Sequence, residues 1–290
     1  MSMLAMPEPD ARVLARREEI VAALEAALPG AVISDPAETR AYECDALSAY
    51  RCPPMAVVLP RSTEEVARAM RICAEAGVRV VPRGAGTSLS GGSLPLADSV
   101  VIGVARMDRV LEIDTANRLV RVETGITNLA VSQAVEAAGF FYAPDPSSQL
   151  ACAIAGNIAM NSGGAHCLKY GVTTNNLLGL RMVLADGRIV ELGGPHPRAG
   201  GATTSSAWSA ARKASSASSP RRWLRILPRP EGARPVLIGL RLAPRPPAPA
   251  SPRSSARASC RWPSSSWTAP ASVRSRTSPM RAIRSTSRRC

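Results

Sequence analysis

The first two-thirds of the chain predict an α+β fold, and three observations carry that prediction. A β-α-β unit is spelled over residues 56–81, and antiparallel-type strand pairs follow at 99–123 and 177–192. Val, Ile, Leu and Ala recur periodically between Gly and Pro through this stretch, which supplies enough apolar material for a core. The third observation is where the pattern stops. Residues 1–194 hold 17 Lys+Arg against 21 Asp+Glu, a net of −4, whereas 195–290 hold 19 Lys+Arg and the single acid Glu231, a net of +18. The two parts together give the net +14 of the 290-residue chain. The last third is a nearly patternless mixture of Ser, Arg, Pro and Ala, and only Leu224–Leu240 reads as ordinary protein. Such a composition predicts a disordered basic tail.

Taken in order, the apolar positions Val13, Leu14, Ile20, Val21, Leu24 and Leu28 predict one amphipathic helix over Arg12–Leu28, ended by Pro29-Gly30. Ala56–Pro60 reads as a short buried strand. Ser62 followed by Glu64 and Glu65 opens a helix running to Ala76, with Gly77 as its C-terminal stop. Val78–Val81 is the second strand of the unit and leads directly into a glycine-rich loop. Strands follow at Ser99–Val104, Val110–Asp114 and Leu119–Glu123, the last two joined by a turn over Asp114–Arg118. Thr127 is placed to cap a helix reaching Ala138. Tyr142–Gly171, rich in Pro, Ser, Gly and Asn, reads as a long loop. Leu177–Leu184 and Arg188–Leu192 then form a hairpin with a two-residue turn at Asp186-Gly187.

Two glycine clusters carry the chemistry. Pro82-Arg83-Gly84-Ala85-Gly86-Thr87-Ser88, continuing to Gly91, combines glycines, which let backbone approach a ligand closely, with hydroxyl donors. Consecutive N–H groups in such a loop converge on an anion, and a pyrophosphate is the natural guest; the alternative is a mobile surface loop. Arg83 pairs either with phosphate or with a nearby acid. The second cluster is Gly156-Asn157-Ile158 through Asn161 to Gly163-Gly164, whose Asn and Ser side chains suit a heterocycle or a ribityl chain. Pro144-Asp145-Pro146-Ser147-Ser148 forms a stiff turn just before it. Two such loops suggest one extended ligand bridged by both.

In order, Pro82–Gly92 (PRGAGTSLSGG), Gly125–Gly139, Asp145–Ser148, Gly156–Gly164, Leu168–Gly171 and Leu184–Gly187 resemble the flavin-binding domain of the vanillyl-alcohol-oxidase/PCMH superfamily. Within it the chain is similar to the glycolate oxidase flavoprotein and D-lactate dehydrogenase branch. The resemblance covers roughly Asp10–Gly194. It implies a two-lobed α+β domain that binds FAD, with the pyrophosphate at Arg83–Ser90 and the flavin near Pro144–Ser148 and Gly156–Gly164. Relatives that bind flavin covalently use a histidine in the first loop; Gly86-Thr87-Ser88 stands there, which implies non-covalent FAD. The implied activity is oxidation of a 2-hydroxy acid by hydride transfer to flavin, with an iron–sulfur subunit, a quinone or a cytochrome as electron acceptor. The implied organisation is a helical segment over 1–50, a PCMH-type domain over 51–194 that the family would extend to about 231, and an aberrant tail over 195–290. No catalytic residue is assigned.

The same resemblance explains the tail. The family places a GSEGxLGIVTE-type segment before LRILPRPE, and this chain has Leu224–Glu231 (LRILPRPE) at the right distance. Read one base out of frame with GC-rich wobble bases, Thr203–Trp223 becomes YDLLGLVGGSEGLLGIVTEAL. The expectation is a reading frame displaced after about Pro197, restored near Leu224 and displaced again after about Gly239. The tail then supplies neither the segment that closes the flavin pocket nor the substrate-binding cap.

Other classes are weighed on the remaining residues. The seven cysteines form no CxxC pair and there are only two histidines, His166 and His196, so neither zinc nor a disulfide framework is indicated. His166 is read as a surface polar residue, and Cys152 and Cys167 as small apolar residues. No signal peptide and no transmembrane run is visible, so the expected setting is cytoplasmic, peripheral to the inner membrane only through a partner. The basic excess suggests nucleic-acid binding, but it is unpatterned and aromatics make up 3% of the chain, so no specific nucleic acid is implied.

Overall fold

The computed structural model describes residues 6–194 and 221–232. The expectations for a disordered tail and a displaced frame fall largely on 195–220 and 233–290, outside the described residues. The chain begins with α1 (Ala11–Ala15), α2 (Arg17–Ala27), β1 (Val32–Ile33) and α3 (Pro36–Thr39). It continues through β2 (Ala56–Val58), α4 (Thr63–Ala76), β3 (Arg79–Arg83) and β4 (Ser99–Gly103). The next elements are β5 (Val110–Asp114), β6 (Leu119–Val122), α5 (Asn128–Glu136) and β7 (Phe140–Phe141). Then come α6 (Ile154–Met160), α7 (Cys167–Tyr170), β8 (Leu177–Val183) and β9 (Ile189–Gly193), and finally β10 (Arg221–Arg225) and β11 (Leu227–Pro228).

Two lobes result. In the first, a four-stranded sheet runs β1-β2-β4-β3, with β2 and β3 parallel to β4 and β1 antiparallel to β2. Parallel pairing demands a crossover, and α4 supplies it. Ser62 caps α4 by accepting the Glu65 N–H at 3.2 Å, and Gly77 ends it at φ +70°, a left-handed conformation that costs glycine little. Its apolar stripe, Val66, Ala69, Met70 and Cys73, is buried against Ile20, Leu24 and Leu28 of the N-terminal region and against Val100 and Ile102 of β4. The segment set apart in sequence as 1–50 therefore joins this lobe, with β1 as an edge strand. The single helix expected over Arg12–Leu28 is broken at Arg16, and Arg17 donates to the carbonyls of Ser34 (2.7 Å) and Met55 (3.4 Å). Periodicity does not register such a tertiary anchor.

The second lobe is a five-stranded antiparallel sheet in the order β5-β6-β10-β8-β9. Its β5–β6 turn is closed by Asp114, which accepts the Asn117 N–H at 2.9 Å, with Arg118 at φ +56°. The β8–β9 hairpin has a three-residue loop, not two. Leu184 N–H donates to the Arg188 carbonyl around Ala185, Asp186 and Gly187, and Gly187 sits at φ +79° against Ala67 and Arg71 of α4. The stretch 142–171 also differs from the long loop expected, since it holds α6 and α7. Gly156 weakens the helical signal of α6, and Asn161 at φ +51° ends it.

Strand β10 lies at the centre of this sheet, between β6 and β8, so 221–232 belong to the fold rather than to a tail. Leu224 and Ile226 are fully buried with Val120, Val122, Leu180 and Met182. In register, position 222 pairs with Val122 on one side and Leu180 on the other.

Replacing Leu224 by Ala should destabilise the protein by about 3 kcal/mol. Differential scanning calorimetry checks the loss. A separate expectation concerns Cys73, whose thiol burial pushes up to about 12. The folded state holds this proton while the unfolded state, with an ordinary thiol, loses it. The contribution is therefore intact below pH 9 and falls by about 1.4 kcal/mol per pH unit above it, up to about 12. Cys73→Ala should flatten denaturation free energy measured from pH 8.5 to 10.5.

Candidate functional site

Between the loop after β3 and helix α6 lies a cavity of about 570 Å³, within the usual range for a cofactor pocket. β3 ends at Arg83, and Pro82 and Arg83 pair with Ile102 and Gly103, so the sheet itself delivers the loop to the cavity. The opposite wall is α6, whose start is held by Ile154 and Ala155 N–H groups donating to the carbonyls of Ile126 (3.0 Å) and Thr124 (2.9 Å). The two walls come close enough that a Cβ on Gly84 would lie 3.4 Å from the Ala153 Cβ and 3.5 Å from the Gly156 nitrogen. A second hollow of about 390 Å³ shares Gly84, Ala85 and Ala153 with the first and extends toward Asp108, Gly125 and Thr127. The two hollows therefore adjoin at the glycine loop.

The loop presents an unusual set of donors. The N–H groups of the six consecutive residues Gly84 to Leu89 have no acceptor among the described residues, and all six residues line the cavity. Unpaired backbone donors in a row are the signature of an anion-binding concavity. Beneath them lies Arg83. Its guanidinium donates to the Cys44 carbonyl at 2.7 Å and sits 5.5 Å over the Tyr42 ring. It forms no ion pair among the described residues, and burial lowers its pKa. Among the described residues it is a half-buried cation held by a carbonyl and an aromatic face, with Asp45 near enough to act on it through charge but not as an ion pair. Gly86, at φ +71°, passes directly over this guanidinium, where a Cβ would overlap it. On the opposite wall the Asn157 side chain is 2% exposed and its Nδ2 has no partner. Val104 and Met182 add apolar surface, and the exposed Leu89 and Met160 contribute at the edges.

Of the residues singled out in sequence, Pro82 to Ser88, Ser147, Ser148, Gly156, Asn157 and Ile158 line the cavity. Gly91, Pro144, Asp145, Asn161, Gly163 and Gly164 do not. Gly163 faces Val172 and Cys167, and Asn161 accepts from Thr174. Sequence reading missed Val104 and Met182, apolar residues from distant segments that only the fold brings together, while Cys152, read as a small apolar residue, also lies on the wall. His166 is bound to Asp145 and is not on the wall.

A two-lobed α+β fold with two adjoining hollows and a strip of backbone donors defines a dinucleotide-cofactor-binding domain. Residues 54–193 match the family described as FAD binding domain. The cofactor is FAD. Over 190 residues the chain is 46% identical to the glycolate oxidase subunit GlcD of Escherichia coli (strain K12), a match taking in 65% of this chain and 37% of that protein. Over 173 residues it is 38% identical to the mitochondrial D-2-hydroxyglutarate dehydrogenase of Bos taurus, covering 60% of this chain and 32% of that one. The chain thus spans about a third of the length of these relatives. Among solved structures, alkyldihydroxyacetonephosphate synthase superposes with a TM-score of 0.65 at 21% identity, over 79% of this chain and 42% of that one, a likeness of fold. Among the described residues no helix is long and apolar enough to cross a membrane.

The loop geometry makes a direct test available. Gly86→Ala should lower stability by about 1–2 kcal/mol, from the positive φ and the displaced guanidinium together. Chemical denaturation checks this; an unchanged midpoint would mean the loop yields freely.

Proposed function

We propose that this chain is the FAD-holding part of an oxidoreductase acting on a 2-hydroxy acid of the glycolate or D-lactate type. The observation that carries the reading is the row of six free N–H groups at Gly84–Leu89, in the loop where the two hollows adjoin. The names of the relatives supply the substrate class. When bound, FAD supplies a ring that accepts a hydride from the α-carbon of the hydroxy acid and passes electrons on to a partner such as an iron–sulfur protein, a quinone or a cytochrome.

The residues act as follows. Gly84–Ser88 donate to the pyrophosphate, and Arg83 adds an unpaired positive charge beneath it. Asn157 donates from its free Nδ2 to a cofactor oxygen or nitrogen. Val104 and Met182 keep water from that end of the cavity. Gly86-Thr87-Ser88 offers no histidine for a covalent link, so the cofactor is held non-covalently.

A second reading, a flavin-binding remnant without turnover, is favoured by the composition break after residue 194. Resequencing the coding DNA for residues 190–290 decides whether the frame is intact.

The full chain, passed through gel filtration with FAD, should co-elute with flavin absorbance and release it intact on acid precipitation. Colourless protein would sink the reading. Turnover of glycolate, D-lactate or D-2-hydroxyglutarate with a dye acceptor separates enzyme from remnant. Arg83→Met should weaken FAD binding about tenfold.

A further inference from the structure

The turn over Pro144–Ser148 and the segment over residues 161–171 flank the cavity from two sides, through Ser147 and Ser148 on one and Ser162 on the other. Each is tied locally. Gln149 N–H donates to the Pro146 carbonyl at 2.9 Å, and Leu129 N–H donates to the Gln149 carbonyl at 3.0 Å, which fastens the turn to α5. The Ser162 carbonyl accepts both the N–H and the hydroxyl of Thr173, which fastens the other segment to the chain before β8. Between the two, the only hydrogen bonds among the described residues come from one side chain. Asp145 Oδ2 is 2.6 Å from His166 Nδ1, and Asp145 Oδ1 accepts the His166 N–H at 3.3 Å.

A carboxylate only accepts, so the proton of this bond lies on Nδ1, and the bond fixes the ring's tautomer and orientation. Gly164 completes the contact. A Cβ there would overlap both the Asp145 carbonyl oxygen and its Oδ1, so the two segments meet at backbone distance. Asp145 is therefore fully engaged away from the cavity it was expected to line.

We propose that Asp145 and His166 form a clasp that sets the spacing of the two cofactor-facing segments, so that both are positioning residues and neither is a cofactor ligand. The clasp acts on Ser147 and Ser148, two and three residues along from Asp145, and on Ser162, four residues before His166. Its solvent-exposed location weakens each bond, but no other hydrogen bond between the segments replaces it.

Two measurements on the full chain test this, and only the first rests on the proposed FAD reading. In the first, FAD affinity is read from quenching of flavin fluorescence. His166→Ala and Asp145→Ala should each raise Kd about tenfold, the double variant should be no worse than either, and His166→Asn, whose amide donates from nearly the Nδ1 position, should recover to within about threefold of the parent. In the second, amide hydrogen exchange is followed without added FAD. His166→Ala and Gly164→Ala should speed exchange over residues 163–171 roughly tenfold and leave α4 unchanged. Multiplying effects in the double variant, or Asp145→Ala weakening FAD binding while His166→Ala does not, would show Asp145 acting on the cofactor directly and overturn the clasp. Unchanged exchange at 163–171 would overturn it too. If the parent binds no FAD, the functional reading fails and the exchange result still decides the clasp.

Discussion

The cavity exists because backbone meets backbone where side chains would ordinarily stand. Gly84 lies against Ala153 and Gly156, and Gly125 lies against the carbonyls of Val104 and Met107, where a Cβ would overlap the Val104 oxygen. Gly125 N–H also donates to Met107 at 2.7 Å. These approaches bring the end of the parallel sheet in the first lobe against the start of α6 in the second. Separate the two by one methyl group and the junction of the larger hollow with the smaller one widens. Glycine is required here for proximity more than for flexibility, and only Gly86 in this neighbourhood adds a positive φ.

That proximity has an electrostatic consequence. Six N–H groups in succession give up secondary-structure partners, which a folded protein tolerates only where solvent or a ligand satisfies them. Arg83 is half-buried beneath the same loop, held by the Cys44 carbonyl and forming no ion pair among the described residues.

Helix α4 and strand β10 tie this local arrangement to global stability. α4 packs on the first sheet through Val66, Met70 and Cys73, and it reaches the second lobe through Arg71 and Ala67 beneath Gly187. β10 fills the centre of the second sheet and buries Leu224 and Ile226 beside α6. A sheet missing its central strand would leave β6 and β8 with unpaired edges, and the support under α6 would go with them. Residues 221–232 therefore matter to the cavity although none of them lines it.

Much of this was legible in the sequence. The period of α4, its cap at Ser62 and its stop at Gly77, and the strands β5 and β6 depend on neighbours a few residues apart, and each lies where its pattern placed it; of the two glycine strings, Pro82–Ser88 and Gly156–Ile158 reach the cavity. What only the tertiary structure decided depends on contacts between distant segments. The break at Arg16, the third residue in the β8–β9 loop, the helical turn of α6 despite Gly156, and the turning of Asp145 away from the cavity toward His166 are of this kind. A residue's type records which bonds it is able to make; which of them it makes is set by the partner that packing brings within reach.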